Sequence, residues 1–363
     1  MTTKVCLVTG ATGFIGQHVV VNLVKNNHKV IALGEKNDCY CPIILSESNL
    51  KISSSPTISS STFLDNDVQL LFGEISDEKF IKQIFDKADS NGIDIEFILH
   101  LAATATIQQA LKEKERTWKT NYEGTKNIVK HSLKYQKKSL NKLKGFFYAS
   151  TDKVYGEGSL NTYNEKDILK PLPYPYDLSK AKADKFIRKI AKIYSFPAII
   201  YRFCNVYGPG DYHKSRIIPG TIHRLMYTDQ APILRVYHDE EGKEQSFYRD
   251  MIYIKDLTNA IQLLLEHLKT KKDNSLYGEV FNLGTNNTYP MKDVIDKINI
   301  HAKTTRKAQV EIIKKGEIKK QCMNYQKLNQ KFGFQPQYSL DKGIKETVNW
   351  YILHKGDIND VFK

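Results

Sequence analysis

Gly10, Gly13 and Gly16 directly follow the apolar run Val5-Cys6-Leu7-Val8 and open a segment of helical periodicity. Few folds need glycine at that spacing between a strand and a helix. A tight turn needs Gly10, close approach of a ligand to the backbone needs Gly13, and close packing of helix on strand needs Gly16. Such a turn aims the positive N-terminus of the helix at a pyrophosphate, so the first site expected is one for a dinucleotide. Phe14, Ile15 and Gly16 open that helix and belong to the same expected site.

The same alternation continues downstream. Strands are predicted at Val5–Thr9, Lys29–Leu33, Val68–Phe72, Phe97–Leu101, Gly145–Ala149 and Ala198–Arg202, with helices at Phe14–Lys25, Asp77–Lys87, Glu115–Tyr135 and Tyr176–Tyr194. Repeated β-α-β units imply an α/β fold with a doubly wound parallel sheet of the Rossmann type. The last 160 or so residues are less regular, with helices expected near Asp256–Lys269 and Leu340–His354. The expected division is a dinucleotide-binding domain over 1–204, to which 250–284 returns, and a smaller substrate-binding domain over 205–249 and 285–363. The Ser-rich stretch 36–62 reads as a loop inserted into the sheet pattern, too polar to build a core.

Composition narrows the class. The chain has a formal charge of +14, yet only eight of its 54 basic residues are Arg and the Lys are spread along its length. That distribution argues against nucleic-acid readout, which leans on Arg. It would still help to attract an anionic substrate. Five scattered cysteines, Cys6, Cys39, Cys41, Cys204 and Cys322, do not form a disulfide framework or a metal-binding spacing, and Cys39 and Cys41 read as free thiols of a loop. No apolar run reaches the length of a membrane span and the N-terminus does not fit a signal peptide, so a cytoplasmic protein is expected, without a metal, a membrane or a nucleic-acid partner.

Proton chemistry is concentrated in one short region. Tyr176 and Lys180 are four residues apart and share a helical face. A Lys ammonium beside a phenol favours the phenolate, which makes a usable base. Thr151-Asp152-Lys153 lies at the end of a predicted strand, where parallel sheets carry their sites. An enzyme that only moves a hydride needs the Tyr and the Lys. A further Asp-Lys pair points to a second proton transfer such as loss of water, or else to an ion pair on the surface. At the end of the second predicted strand, Gly34 stands where an acid for the adenosine ribose is expected, with Glu35 next to it. No Arg is expected nearby to take a 2′-phosphate, though Lys36 could, and NAD is favoured over NADP.

These motifs resemble those of the extended short-chain dehydrogenase/reductases that act on nucleotide sugars. The resemblance spans nearly the whole chain: Thr9–Gly16, Gly73–Asp77, His100–Ala103, Thr120–Thr125, Ser150–Gly156, Tyr176–Lys180, Arg202–Gly210, Arg249–Asp256 and Phe281–Gly284. Thr-Asp-Lys looks most like the 4,6-dehydratases, in particular those of CDP-glucose, and Gly210–Tyr212 with Arg216–Pro219 is similar to the same group. The Arg249–Asp256 stretch is instead similar to epimerases and dTDP-glucose dehydratases, so the nucleotide stays open.

The resemblance implies oxidation at C4 of a nucleotide-diphosphate sugar, loss of water across C5 and C6, and reduction at C6, through tightly held NAD regenerated each cycle. Tyr176 would act on the C4 hydroxyl with Thr151 and Lys180, Lys153 on the C5 proton, and Asp152 on the departing C6 hydroxyl. It implies cofactor contacts at Glu35, Glu74, Ile75, Leu101, Ala102, Ala103, Asn121, Tyr176 and Lys180. It implies substrate contacts at Thr104, Asn205, Arg216 and Arg249, a structural His100, and a homodimer formed through the helices Glu115–Tyr135 and Tyr176–Tyr194. A nucleotide-sugar 4-epimerase would use Thr151, Tyr176 and Lys180 and leave Asp152 and Lys153 idle. A non-catalytic dinucleotide-binding protein is the remaining alternative.

Overall fold

A computed structural model describes residues 2–35, 43–46, 48–54, 58–59, 61–138, 143–158, 162–314 and 316–358. Cys39, Cys41 and Lys36 lie outside them. The described chain divides into two compact units, one of 1–154, 173–202 and 258–281, the other of 155–172, 203–257 and 282–363. Residues 155–172, assigned by sequence to the first domain, cluster with the second unit.

The first unit is built on an eight-stranded sheet. Its strands are β1 (Thr3–Thr9), β2 (Lys29–Gly34), β3 (Ile52–Ser53), β4 (Val68–Phe72), β5 (Ile93–His100), β6 (Gly145–Thr151), β7 (Ala198–Phe203) and β8 (Val280–Leu283), in the order β8-β7-β6-β5-β1-β2-β4-β3. The pairs β1–β2, β1–β5, β2–β4, β3–β4 and β5–β6 are parallel. Neighbours of β1 leave it in opposite directions, so the chain reverses at β1 and β5, the switch point where ligands bind in open α/β sheets. Val5 to Val8 and Val30 to Leu33 are buried without a break, as strands covered on both faces require.

Four helices matter for the site: α1 (Phe14–Lys25), α2 (Glu78–Ser90), α3 (Thr125–Lys138) and α4 (Pro175–Tyr194). Asp77 caps α2 by accepting from the Lys79 and Phe80 N–H groups. Pro175 opens α4, where its missing N–H costs nothing, and Ser195 in a left-handed conformation ends it. The helix expected over Glu115–Tyr135 is interrupted: Lys114–Trp118 is α-helical, Lys119–Gly124 is a π-turn, and α3 follows. Such one-turn bulges re-aim side chains. This one carries Asn121.

The Ser-rich stretch is not wholly outside the core. Ile58 is buried in the main apolar cluster, Leu45 is buried as well, and Ile52–Ser53 adds the edge strand β3. Two apolar residues spaced among serines have no periodicity to reveal them, so the expectation of a coreless loop fails there.

The second unit consists of short strands and helices. Asn205–Tyr207 pairs in parallel with Met251–Tyr253, and the helices Ile217–Tyr227, Met291–His301 and Leu340–Leu353 each bury apolar side chains. Buried Asp250 organises it by accepting from the Thr285 N–H and hydroxyl and the Met323 N–H. No described helix is long and apolar enough to cross a membrane.

Candidate active site

The glycine turn has the geometry that a dinucleotide needs. Gly10 has φ +68°, and a Cβ there would stand 2.7 Å from the Ala102 nitrogen. At Gly16 a Cβ would stand 2.0 Å from the Gly10 carbonyl oxygen, so no side chain lets α1 lie against β1. Gly13 differs: a Cβ would meet only the Gly10 oxygen at 3.4 Å, and the backbone there is bare. Gly13 is the N-cap of α1 and makes no side-chain capping bond, and the first turn of α1, Phe14, Ile15 and Gly16, carries no acid. The helix end thus keeps donors and a positive dipole for an anion. Leu101 and Ala102 are held beside the turn, their N–H groups donating to the Thr9 carbonyl and hydroxyl at 3.2 Å each. Ala103 follows them. These residues fit a bound dinucleotide.

Gly34 has a steric cause. A Cβ at that position would fall 2.4 Å from the Thr12 methyl. The nearest acid is Glu35, one residue on, whose carboxylate pairs with the Arg116 guanidinium at 2.5 Å. This corrects the expectation that no Arg lies near the end of β2, because Arg116 comes from a helix 81 residues away in sequence. Glu74 accepts from the Ser76 hydroxyl, and the Ile75 carbonyl accepts from Asn127.

Asn121 works as a tie. Its side chain accepts from the Thr104 N–H at 2.8 Å, donates to the Thr104 carbonyl at 3.3 Å and donates to the Ser179 hydroxyl at 3.1 Å. It thereby joins the loop after β5 to α4. His100 is fully buried, bonded through Nδ1 to the Thr9 hydroxyl and through Nε2 to the Thr125 hydroxyl, and burial pushes its pKa down to about 3. A ring so committed holds β5 in place.

Thr151, Asp152 and Lys153 sit at the C-terminal end of β6 and in the 3₁₀ turn after it, with α4 packed on that turn. The Thr151 hydroxyl donates to Asp152 Oδ1 at 3.1 Å and accepts from the Lys153 N–H at 3.3 Å. Lys153 Nζ lies 3.5 Å from Asp152 Oδ1, and the Asp152 side chain is only 3% exposed. A pair this deep is not a solvated surface ion pair.

Tyr176 and Lys180 occupy one face of α4. The Lys180 ammonium donates to the Ala149 carbonyl and lies 4.3 Å from the centroid of the Tyr148 ring. Burial pushes its pKa down to about 7, against the Asp184 carboxylate, which holds it up. Asp184 is in turn fixed by Arg202, with two nitrogen–oxygen contacts at 3.0 Å, and by the Ser150 hydroxyl at 2.8 Å, with Asp184 and Arg202 wholly buried. This network links β6, β7 and α4.

Sequence reasoning missed three participants. Asp184 follows Lys180 by four residues, the same helical spacing that paired Tyr176 with Lys180, so a signal was present. Arg202 and Arg116 gave no local signal, because their partners come from other elements. Asp177, within the Tyr176–Lys180 motif, is wholly buried, neither of its carboxyl oxygens has a hydrogen-bond partner in another residue, and its own backbone N–H is the one hydrogen bond that acts on it. Burial raises its pKa to about 7, Lys153 pulls it down and Asp152 pushes it up.

The expected substrate residues outside the first unit are all engaged locally in the second. The Asn205 amide donates to the Asp250 carbonyl at 3.1 Å. Arg216 pairs with Asp211 at 3.0 Å. Arg249 is buried and donates to Glu317 and to the Tyr248 carbonyl, each at 2.9 Å. Among the described residues no cluster of three His, Cys, Asp or Glu could hold a metal, and Cys6, Cys204 and Cys322 are buried thiols.

Comparison with known proteins agrees with this frame. Residues 7–347 match the family model described as GDP-mannose 4,6 dehydratase. The dTDP-D-glucose 4,6-dehydratase of Homo sapiens is 29% identical over 358 residues, covering 96% of this chain and 90% of the relative. That of Dictyostelium discoideum is 30% identical over 80% of this chain, which spans 61% of the relative. Among solved structures, the UDP-glucose 4-epimerase of Thermotoga maritima with UDP-glucose is 25% identical with a TM-score of 0.77, covering 97% of this chain and all of that one. The dTDP-glucose 4,6-dehydratase of Bacillus anthracis in complex with NAD, 24% identical, has the same fold with a TM-score of 0.77, covering 99% of this chain and all of that one. With a match running over almost its whole length, the chain belongs to the GDP-mannose 4,6-dehydratase family, within the extended short-chain dehydrogenase/reductases of nucleotide sugars.

Proposed function

We propose that this protein is an NAD-dependent nucleotide-sugar 4,6-dehydratase that forms a 4-keto-6-deoxy sugar. The observation that carries the reading is the Asp152–Lys153 pair, an acid and a base at 3.5 Å, buried beside Thr151. A 4-epimerase has no use for it. The relatives include both dehydratases and 4-epimerases, so the pair, rather than overall likeness, separates the readings.

Bound NAD supplies a hydride acceptor and donor within one turnover. The glycine turn and the N-terminus of α1 bind its pyrophosphate, and Glu35 faces its adenosine ribose. Tyr176 takes the C4 hydroxyl proton while Thr151 holds the same oxygen. The Lys180 cation favours the Tyr176 phenolate. Lys153 takes the C5 proton, made acidic by the ketone at C4, and Asp152 gives a proton to the departing C6 hydroxyl. General acid and base catalysis of this kind is worth about a hundredfold to ten-thousandfold each. Thr104, Asn205, Arg216 and Arg249 are proposed for the nucleotide-sugar side, with the second unit as the substrate domain. The same reading includes a cytosolic homodimer built on the helical face of α3 and α4, where Val129, Leu133, Phe186, Ile190 and Tyr194 line an open groove.

Mass spectrometry of the purified enzyme with CDP-, UDP-, dTDP- and GDP-sugars tests the reading. Loss of one water from a single substrate is expected, and Lys153→Ala is expected to abolish it. Unchanged mass with a new stereoisomer by NMR would make the protein an epimerase.

A further inference from the structure

Buried polar atoms in folded proteins nearly always have hydrogen-bond partners, and each exception calls for a reason. Asp177 is one such exception among the described residues of this site: a carboxyl with no exposed surface whose two oxygens find no partner in any other residue. A structural carboxylate would be capped, ion-paired or bonded to backbone N–H groups, as Asp77, Asp184 and Asp250 are. Asp177 lies on the first turn of α4, directly after Tyr176, and α4 packs on the turn that carries Asp152 and Lys153. Those two residues are the charged groups that act on it.

Proton accounting of the proposed dehydration gives such a carboxyl a task. In one turnover Tyr176 gains the C4 hydroxyl proton. Lys153 takes the C5 proton and returns it to C5. Asp152 loses a proton to the hydroxyl that leaves as water. The cycle therefore ends with one proton too many on Tyr176 and one too few on Asp152, and Asp152 must be recharged before the next substrate.

We propose, resting on the dehydratase reading, that Asp177 is a positioning residue for Asp152: a buried carboxylic acid that stores the proton with which Asp152 is recharged. The Asp177 acid O–H breaks and an Asp152 O–H forms, leaving Asp177 as the carboxylate. The water released from C6 is the carrier between them. Asp177 then takes a proton from solvent, into which Tyr176 discharges its surplus, so protons balance over the cycle. A carboxylate disfavours ionisation of an acid near it, and the charge of Asp152 helps keep the proton on Asp177. Burial removes the competing stabilisation by water. This arrangement suits storage.

The test uses the full-length, NAD-loaded enzyme and two variants, Asp177→Asn and Asp177→Glu. Infrared difference spectra against Asp177→Asn are expected to show the carbonyl stretch of a protonated carboxyl that disappears as pH rises through about 7. Dehydration by Asp177→Asn is expected to fall about tenfold or more. Imidazole buffer, as an external proton donor, and the Asp177→Glu variant are both expected to restore it, neither of which follows from a purely structural role. A wild-type enzyme that dehydrates while Asp177→Asn matches it at every pH would overturn this proposal alone. So would the absence of an Asp177-dependent carboxyl band between pH 5 and 8. A wild-type enzyme that dehydrates no nucleotide sugar would overturn the dehydratase reading and this proposal with it.

Discussion

Asp184→Asn tests whether the strand and helix that carry Thr151 and Lys180 stand on a buried ion pair. Asp184 and Arg202 are both wholly shielded, with two contacts at 3.0 Å and a third bond from Ser150 at 2.8 Å. The amide keeps the shape and an acceptor but removes the charge, so the guanidinium is left buried and uncompensated. Breaking one side of such a pair costs about 3–5 kcal/mol. With a urea slope of about 3 kcal/mol per M, the midpoint should fall by about 1–1.7 M. Replacing both partners, Asp184→Leu with Arg202→Met, should recover most of that loss. The Ser150 hydroxyl left without an acceptor would retain a cost of about 1–3 kcal/mol. Urea unfolding followed by far-UV circular dichroism measures all three proteins. An Asp184→Asn variant within about 1 kcal/mol of wild type would refute the reasoning, because it would mean that solvent reaches Arg202. The same substitution removes the group that holds the Lys180 pKa up, so Lys180 should titrate lower still.

Two further outcomes follow from the geometry. Gly16→Ala forces a Cβ against the backbone oxygen of Gly10, so it should cost about 1–3 kcal/mol and weaken NAD binding, read by thermal melting and by fluorescence titration. The buried Lys180 ammonium lies at about 7 against an ordinary 10.5, so the unfolded chain binds a proton that the folded one lacks between those values. Its contribution therefore makes stability rise with pH over that window, and Lys180→Met should flatten the rise in urea midpoints measured from pH 7 to 10.

Much of the site is local in sequence, which is why it was readable there. Helical spacing alone pairs Tyr176 with Lys180, and adjacency places Thr151, Asp152 and Lys153 together at a strand end. The glycine turn is equally local, since the steric demand of each position is set by its own neighbours and by the strand before it. What the chain does with charge is not local. Arg116 and Glu35 meet because two elements 81 residues apart share the edge of the turn. Gly34 reads as a missing acid in the sequence because the Thr12 methyl that would meet its Cβ comes from the glycine turn.

By itself, then, the sequence determined the alternating architecture, the dinucleotide turn and the clustering of the candidate reactive residues, because periodicity and adjacency act within a few residues. Tertiary structure alone decided how deeply each charge is buried and what faces it. Burial sets the pKa of Lys180, leaves the Asp177 carboxyl without a hydrogen bond to any other residue and ties Asp184 to Arg202. Desolvation depends on everything that surrounds a group, and those surroundings come from strands and helices that only the folded chain brings together.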